Sequence, residues 1–356
     1  MKKNTGKSIP HSCPSLGAEE SRAVARVISG RNVAAGRVIV EFEKTVAEHA
    51  GVKHAIAVNS GSSALHLSLI ALGLGKNKKV ILPSYCCSAL LNSLSYAGCR
   101  PELVDTGKNG FNMDPRCLEK HLSRETGAII LPHMFGLPAD VKSAVGWGIP
   151  VIEDCAMSLG ASINGRKTGG LAEIGIVSFY ATKMVCTGYG GIVLTNSAKL
   201  ANKVRDLINY DNREDYIVRY NYLMSDMQAA MGIVQMKKLS HFIAKRIHIA
   251  RLYSERLKGL PINLPEIAEG SVFHRYVIRF QSAGLLEKCI VFLKNRGIES
   301  KKPVYKPLHR YLSLPQSRFP NTEDTYQTSL SLPIYPLLDD TSVIRIANAV
   351  KEYLFN

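Results

Sequence analysis

Two kinds of apolar spacing take turns along the chain. Residues 15–30 repeat at helical intervals, with Leu16, Val24, Val27 and Ile28 on one face and Ser29-Gly30 as a stop. A second helix runs through Val40, Phe42, Val46 and Ala47 to about Gly51. From there short β-branched runs and apolar helices alternate. Residues 55–58 predict a strand, and 63–72 a helix apolar almost all round and therefore buried. Residues 80–82 predict a strand ending at Pro83, and 89–97 a helix ending at Gly98. Further strands are expected at 102–104, 128–131 and 151–152. Such alternation with short connections is the pattern of an α/β protein with a doubly wound, mostly parallel sheet. Ligands then sit outside the carboxyl ends of the strands. A long helical repeat over about 226–257 (Met227, Ala230, Met231, Val234, Met236, Leu239) is suited to joining two lobes, and Pro261 and Pro265 break it. The remainder, with apolar runs at 272–280 and 285–293, reads as a smaller α+β lobe. A large domain over 1–240 and a small one over 241–356 are expected.

The stretch 174–191 departs from this rhythm. Ile174 to Phe179 reads as a buried strand, and Gly188, Gly190 and Gly191 call for a turn or a close backbone approach. Between them stands Lys183, with few charged neighbours. Desolvation disfavours an ammonium and makes the amine available as a nucleophile. A lysine that snorkels to solvent at a strand end is the plainer alternative.

Bulk properties narrow the class. No apolar run in the 356 residues approaches the ~20 needed to span a bilayer. Residues 1–12 are basic and polar, without the apolar region of a secretory leader. Eight scattered cysteines form no CxxC pair, so reduced cytoplasmic thiols are expected and a metal site is not. The net charge of +16 admits nucleic acid, an anionic membrane or anionic small substrates. The basic residues are spread out and carry no nucleic-acid-binding signature, which favours small phosphate-bearing ligands.

Three features fall at predicted strand ends. Asn59-Ser60-Gly61-Ser62-Ser63 opens the buried helix and offers free amides and small hydroxyls to an anion, or ordinary N-capping by Ser60 or Ser62. Glu153-Asp154 follows the strand 151–152, either as a solvated strand end or as a partner for a cation. Tyr85, after Pro83-Ser84, is a ring that could cover a planar ligand or pack in the core. Cradle, ring, carboxylate and desolvated lysine together suit a phosphorylated pyridine aldehyde.

With these residues in place the chain resembles the DegT-type aminotransferases, pyridoxal-phosphate enzymes of the aspartate-aminotransferase fold (fold type I) that aminate keto-sugar nucleotides. The likeness runs through Gly36 with Phe42-Glu43, Ser60 to Leu65, Pro83-Ser84-Tyr85 and Phe135-Gly136-Leu137-Pro138. It continues in Glu153-Asp154-Cys155-Ala156, Ser178 to Lys183, Gly190-Gly191, Asn221-Tyr222, Gln228-Ala229-Ala230 with Gln235, and Leu332-Pro333. The resemblance implies that Lys183 is the Schiff-base lysine and Asp154 the partner of the pyridine nitrogen. It implies that Tyr85 stacks on the ring and that Ser60, Gly61, Ser62 and Ser178 meet the phosphate. Asn221 would reach the cofactor phosphate of a neighbouring subunit in a homodimer with shared sites, and glutamate would be the amino donor. Met157 stands three residues after the aspartate, where the family usually has glutamine or histidine, and a thioether donates no hydrogen bond. Leu223 and Tyr189 depart from an arginine and an acidic residue common in the family. Met157 also motivates a second reading, a non-catalytic or regulatory cofactor-binding relative; a pyridoxal-phosphate enzyme on a non-sugar ketone is another. His133 is expected to be a structural hydrogen-bonder. Tyr305, Lys306 and His309, with Lys301, Lys302 and Arg310, read either as a solvated basic face or, given the family, as contacts to a substrate diphosphate. Cys86 and Cys87 are taken as packing residues.

Overall fold

The computed structural model describes residues 8–108 and 110–355. Two helices, α1 (Ala18–Ser29) and α2 (Arg37–Ala50), precede the first strand, β1 (His54–Val58). Helices and strands then alternate: α3 (Gly61–Ala71), β2 (Lys79–Pro83), α4 (Ala89–Ala97), β3 (Arg100–Val104), β4 (Thr126–Pro132), α5 (Val141–Val145) and β5 (Val151–Asp154). A short hairpin, β6 (Ser162–Ile163) and β7 (Arg166–Lys167), leads to β8 (Ile174–Ser178), β9 (Gly191–Thr195) and α6 (Ala198–Leu207). The central sheet has seven strands in the order β1-β9-β8-β5-β4-β2-β3. All run parallel except β9, which is antiparallel to both its neighbours. The doubly wound α/β expectation therefore holds. Strand β9 and helix α6 are additions. The glycines read as a turn before them include one at Gly188, with φ +80°, but Gly191 is the first residue of β9.

Helix α3 is apolar all round because it is buried all round, with Leu65, Leu67 and Leu69 packed on Ile56, Val80, Ile130 and Ile176. The opposite face of the sheet carries Phe42, Val46, Phe179, Ile192 and Leu194. Helix α7 (Asp226–Leu257) spans 32 residues, at the limits read from the sequence. Ala229, Ile233, Met236 and Leu239 belong to that second core, whereas Ile249, Ala250, Tyr253 and Leu257 belong to a separate one. The latter is built by β10 (Ile262–Asn263), β11 (Tyr276–Phe280), α8 (Ala283–Asn295), β12 (Ser329–Leu332) and α11 (Asp340–Phe355), while α9 (Leu308–Tyr311) and α10 (Pro320–Thr328) send Leu308 and Tyr326 to the first core, that of α3. β11 and β12 pair antiparallel. Buried Arg246 ties α7 to this region by donating to the carbonyls of Phe273, His274 and Ile334.

Helix α1 corrects the sequence reading. Leu16 and Ile28 of the expected apolar face are exposed. The buried positions are Ala23 and Glu20, whose carboxylate accepts from Gln235, Lys238 and the Gly17 amide. Asp226, the first residue of α7, is also buried: it accepts the amides of Gly36 and Ile39 at 3.0 Å each and so caps α2. Replacing Asp226 with alanine leaves those amides without a partner and is expected to cost about 3 kcal/mol. A thermal or denaturant unfolding curve indistinguishable from wild type would contradict this.

Candidate active site

The carboxyl ends of β1, β8 and β5 meet on one edge of the sheet. Gly191 pairs with Val58 on one side and Ser178 on the other. A Cβ on Gly191 would lie 2.2 Å from the Ser60 carbonyl oxygen, so no side chain fits there. A Cβ on Gly61 would lie 2.8 Å from that of Ser178. These approaches set the start of α3 directly over the end of β8. A cavity of about 280 Å³ opens at this point, and Ser60, Gly61, Ser62, Asp154, Ser178 and Lys183 all line it.

At the cradle Ser60 caps the helix, and Gly61 and Ser62 after it leave their amides free. Ser60 is the N-cap: its Oγ accepts the Ser63 amide at 3.0 Å, and its carbonyl takes that of Ala64. The amides of Gly61 and Ser62 come first in the helix and have no partner within it. They present two donors and the positive end of the helix dipole to the cavity.

Glu153 and Asp154 are divided by strand alternation. Glu153 is buried on one face and saturated, by the amides of Gly169, Leu171 and Ala172 and by His133. His133 Nδ1 accepts the Ala139 amide at 2.9 Å, so its Nε2 carries the proton donated to Glu153. His133 is structural, as expected. Asp154 points the other way and is only 7 % exposed. Its Oδ1 accepts the Ala156 amide at 2.9 Å. Burial pushes its carboxyl above the usual range, against the pull of Lys183. Lys183 follows β8 in a tight bend in which its amide donates to the Tyr180 carbonyl. Burial holds its amine below the usual lysine value, while Asp154 opposes that shift and Arg275 adds to it. A desolvated amine and a desolvated acid share one cavity.

Several expectations need correction. Tyr85 does not line this cavity. The chain bends at Ser84 to Cys86, which turns Tyr85 into the core beside Phe111 and Phe135 and carries Cys87 to the cavity wall. Cys87, read as packing, thus stands in the place assigned to Tyr85. Met157 packs half-buried on the core behind the cavity, while Ala156 reaches its wall. Asn221 is exposed and does not line its own chain's cavity. Part of the basic cluster is engaged within the chain. His309 is wholly buried between Ser84 Oγ and Glu323 Oε1, each at 2.7 Å, and Arg310 is bidentate on Glu323. Lys302 pairs with Glu287, and Lys306 lies over the Tyr311 ring. Of that group Tyr305 projects freely, at 86 % exposure. Tyr180 and Tyr189 also line the cavity and had carried no chemical reading.

A lysine beyond a buried strand, an acid across the cavity and a helix N-terminus between them define an α/β protein built to hold a phosphorylated carbonyl cofactor at an amine. Comparison with known proteins carries this to a family. Residues 14–351 match the DegT/DnrJ/EryC1/StrS aminotransferase family, and the chain belongs to it. It is 36 % identical over 338 residues to a GDP-perosamine synthase of Caulobacter vibrioides, covering 90 % of this chain and 91 % of that one. It is 30 % identical over 364 residues to a GDP-perosamine synthase of Vibrio cholerae, covering 97 % and 99 %. Among solved structures, DesV of S. venezuelae superposes with a TM-score of 0.92 at 30 % identity, covering 99 % of this chain and all of the other, at 100 %. Helicobacter pylori PseC, an aminotransferase of pseudoaminic acid biosynthesis, superposes with a TM-score of 0.91 at 28 % identity, covering 98 % and 100 %. The chain is therefore an aminotransferase of fold type I, and its family depends on pyridoxal 5′-phosphate.

The residues present fit that cofactor: paired donors at a helix start for a phosphate, a buried acid, and an amine already biased toward its free base. Cys87 and Cys117 are the exposed thiols among the described cysteines. Iodoacetamide is expected to alkylate both in cofactor-free protein, and added cofactor to slow Cys87 alone by at least about tenfold. Peptide mass spectrometry checks this, with Cys117 as the internal control; equal protection of both, or of neither, would remove Cys87 from the cofactor cavity.

Proposed function

We propose that this chain moves an amino group from an amino acid, with glutamate as donor, to the ketone of a nucleotide-linked keto sugar. The single cavity that gathers Lys183, Asp154 and the start of α3 carries the reading. The two GDP-perosamine synthases among its relatives make a GDP-linked keto sugar the first acceptor to test.

Bound pyridoxal phosphate supplies a carbonyl for the amine and a ring that withdraws electrons from the substrate carbon. The amides of Gly61 and Ser62 and the hydroxyl of Ser178 would hold its phosphate. Asp154, buried at the cavity wall, would hold a proton at the ring nitrogen through its carboxylate, since ion pairing strengthens with burial. Lys183 Nζ takes the proton from the donor α-carbon and returns it on the far side of the reaction. Its depressed basicity suits that exchange, because a base works best with a pKa near the operating pH. Ile176 and Leu65, the latter on buried helix α3, give the cavity an apolar wall.

Asn221, exposed and outside the lining of its own cavity, supports a homodimer in which it meets the neighbour's phosphate. Exposed Tyr216 and Val218, in the same segment, support a partner there too. The eight free cysteines and the lack of any described helix long and apolar enough to cross a membrane support a cytoplasmic setting.

Replacing Lys183 with alanine is expected to slow the glutamate half-reaction, followed by cofactor absorbance, at least about 1000-fold. Asp154→Asn, which keeps the shape and loses the charge, should slow it about 100-fold or more. Near-normal conversion by the lysine variant would end the assignment.

A further inference from the structure

Arg275 is a cation that the fold leaves without an acid. It immediately precedes β11, half-buried, on the wall of a second cavity of about 500 Å³ between the two halves of the molecule. Arg279, within β11 and on the same cavity, is paired with Asp324. Arg275 forms no ion pair among the described residues, and its buried Nε has no hydrogen-bond partner. Its Nη1 lies 3.4 Å from His11 Nε2, an atom that already faces Ser331 Oγ at 2.9 Å. The charges within its reach have the same sign. Lys183, Lys301 and Arg246 are each depressed by burial first and by the Arg275 guanidinium as well. Asp154 relieves Lys183 and Glu299 relieves Lys301, yet neither pairs with Arg275. Burying a guanidinium unpaired is unfavourable, and a fold that keeps one beside other cations has room for an anion from outside.

We propose that Arg275 is the receptor for a carboxylate of the amino donor, an assignment that rests on the transamination argued above. His274, beside Arg275 in the chain, donates from Nε2 to the carbonyl of Thr182, beside Lys183, at 3.0 Å, so an anion held by Arg275 stands close to the reacting atoms. The donor's α-carboxylate is one bond from the carbon that loses its proton. The diphosphate of a sugar nucleotide is separated from the reacting ketone by the breadth of the sugar. A planar, permanently charged fork matches a carboxylate in two parallel hydrogen bonds, which a lysine cannot do. Arg275 would therefore position the donor and take no part in the proton transfer.

The test compares the two half-reactions of the holoenzyme in wild type, Arg275→Gln and Arg275→Met. Both variants should need at least about tenfold more glutamate for half-saturation, with the limiting rate within about threefold of wild type. The return half-reaction with a GDP-linked keto sugar should be unchanged. Calorimetric binding of glutarate, an unreactive dicarboxylate, to the holoenzyme should weaken in parallel. The ligand-free melting temperature of Arg275→Met should stay level or rise, because a buried charge without a partner has been removed. Unchanged glutamate saturation, or a defect confined to the sugar half-reaction, overturns the assignment, the latter marking Arg275 as a phosphate contact. A large drop in melting temperature with glutarate binding intact overturns it as well, since Arg275 would then serve folding. If wild type itself converts with no amino acid, the transamination reading fails and this one with it. A competent wild type and an indifferent Arg275→Gln defeat this assignment alone.

Discussion

The site depends on how closely one glycine lets two backbones approach. Gly191 pairs with Val58 and with Ser178, so it holds the ends of β1 and β8 in register across the antiparallel strand β9. The Ser60 carbonyl sits where its Cβ would be. Because Ser60 caps α3, that contact also fixes where the helix begins and where its free amides point. The lysine follows β8 by a few residues, and the acid ends β5, the next strand over. A displacement of one side chain's thickness at Gly191 would separate cradle from amine. Helix α3 tolerates no such shift, since every one of its faces is packed.

Electrostatics follow from that packing. Asp154 and Lys183 are drawn toward their neutral forms by burial and toward their charged forms by each other. Each opposes the shift that burial imposes on the other. Glu153, one residue away, is the contrast. Its oxygens are taken by three amides and His133, and its carboxyl is held below the usual range despite burial, by the His133 hydrogen bond first. A saturated carboxylate supports the fold; an under-satisfied one in a cavity has bonding capacity left for a substrate or cofactor.

How much of this could be read in the chain depended on whether a residue's role is set locally. Lys183, Asp154 and the Ser60–Ser62 turn sit at strand ends, and strand ends announce themselves by where β-branched runs stop. Tyr85 and Cys87 are two residues apart in a bend, and their exchange of roles is decided by which way the chain turns after Pro83, for which periodicity gives no signal. His309 and Arg310 looked like a basic surface because Glu323, which neutralises both, lies thirteen or more residues later, across a helix boundary. Glu20 carried no reading for the same reason: its partners Gln235 and Lys238 are on α7. Strand β9 was hidden by two glycines that serve packing rather than a turn. Leu16, just before α1, and Ile28 within it stay exposed although their spacing matches an apolar face.

The surplus of positive charge takes its meaning from position rather than from number. Most lysines and arginines lie on the surface, where salt and water screen them and each contributes little. Arg246, Arg275 and Lys183 are different, since they converge on the boundary between the two halves of the molecule, where screening is weak. Arg246 is answered by three carbonyl oxygens that lock α7 to the C-terminal region. Lys183 is answered by Asp154. Arg275 has no such answer among the described residues, and mutual repulsion among the three is a standing bias toward any anion small enough to enter. An enzyme that must admit and release a carboxylate at every turnover gains from that arrangement: a permanent internal partner for Arg275 would steady the empty protein and compete with the substrate.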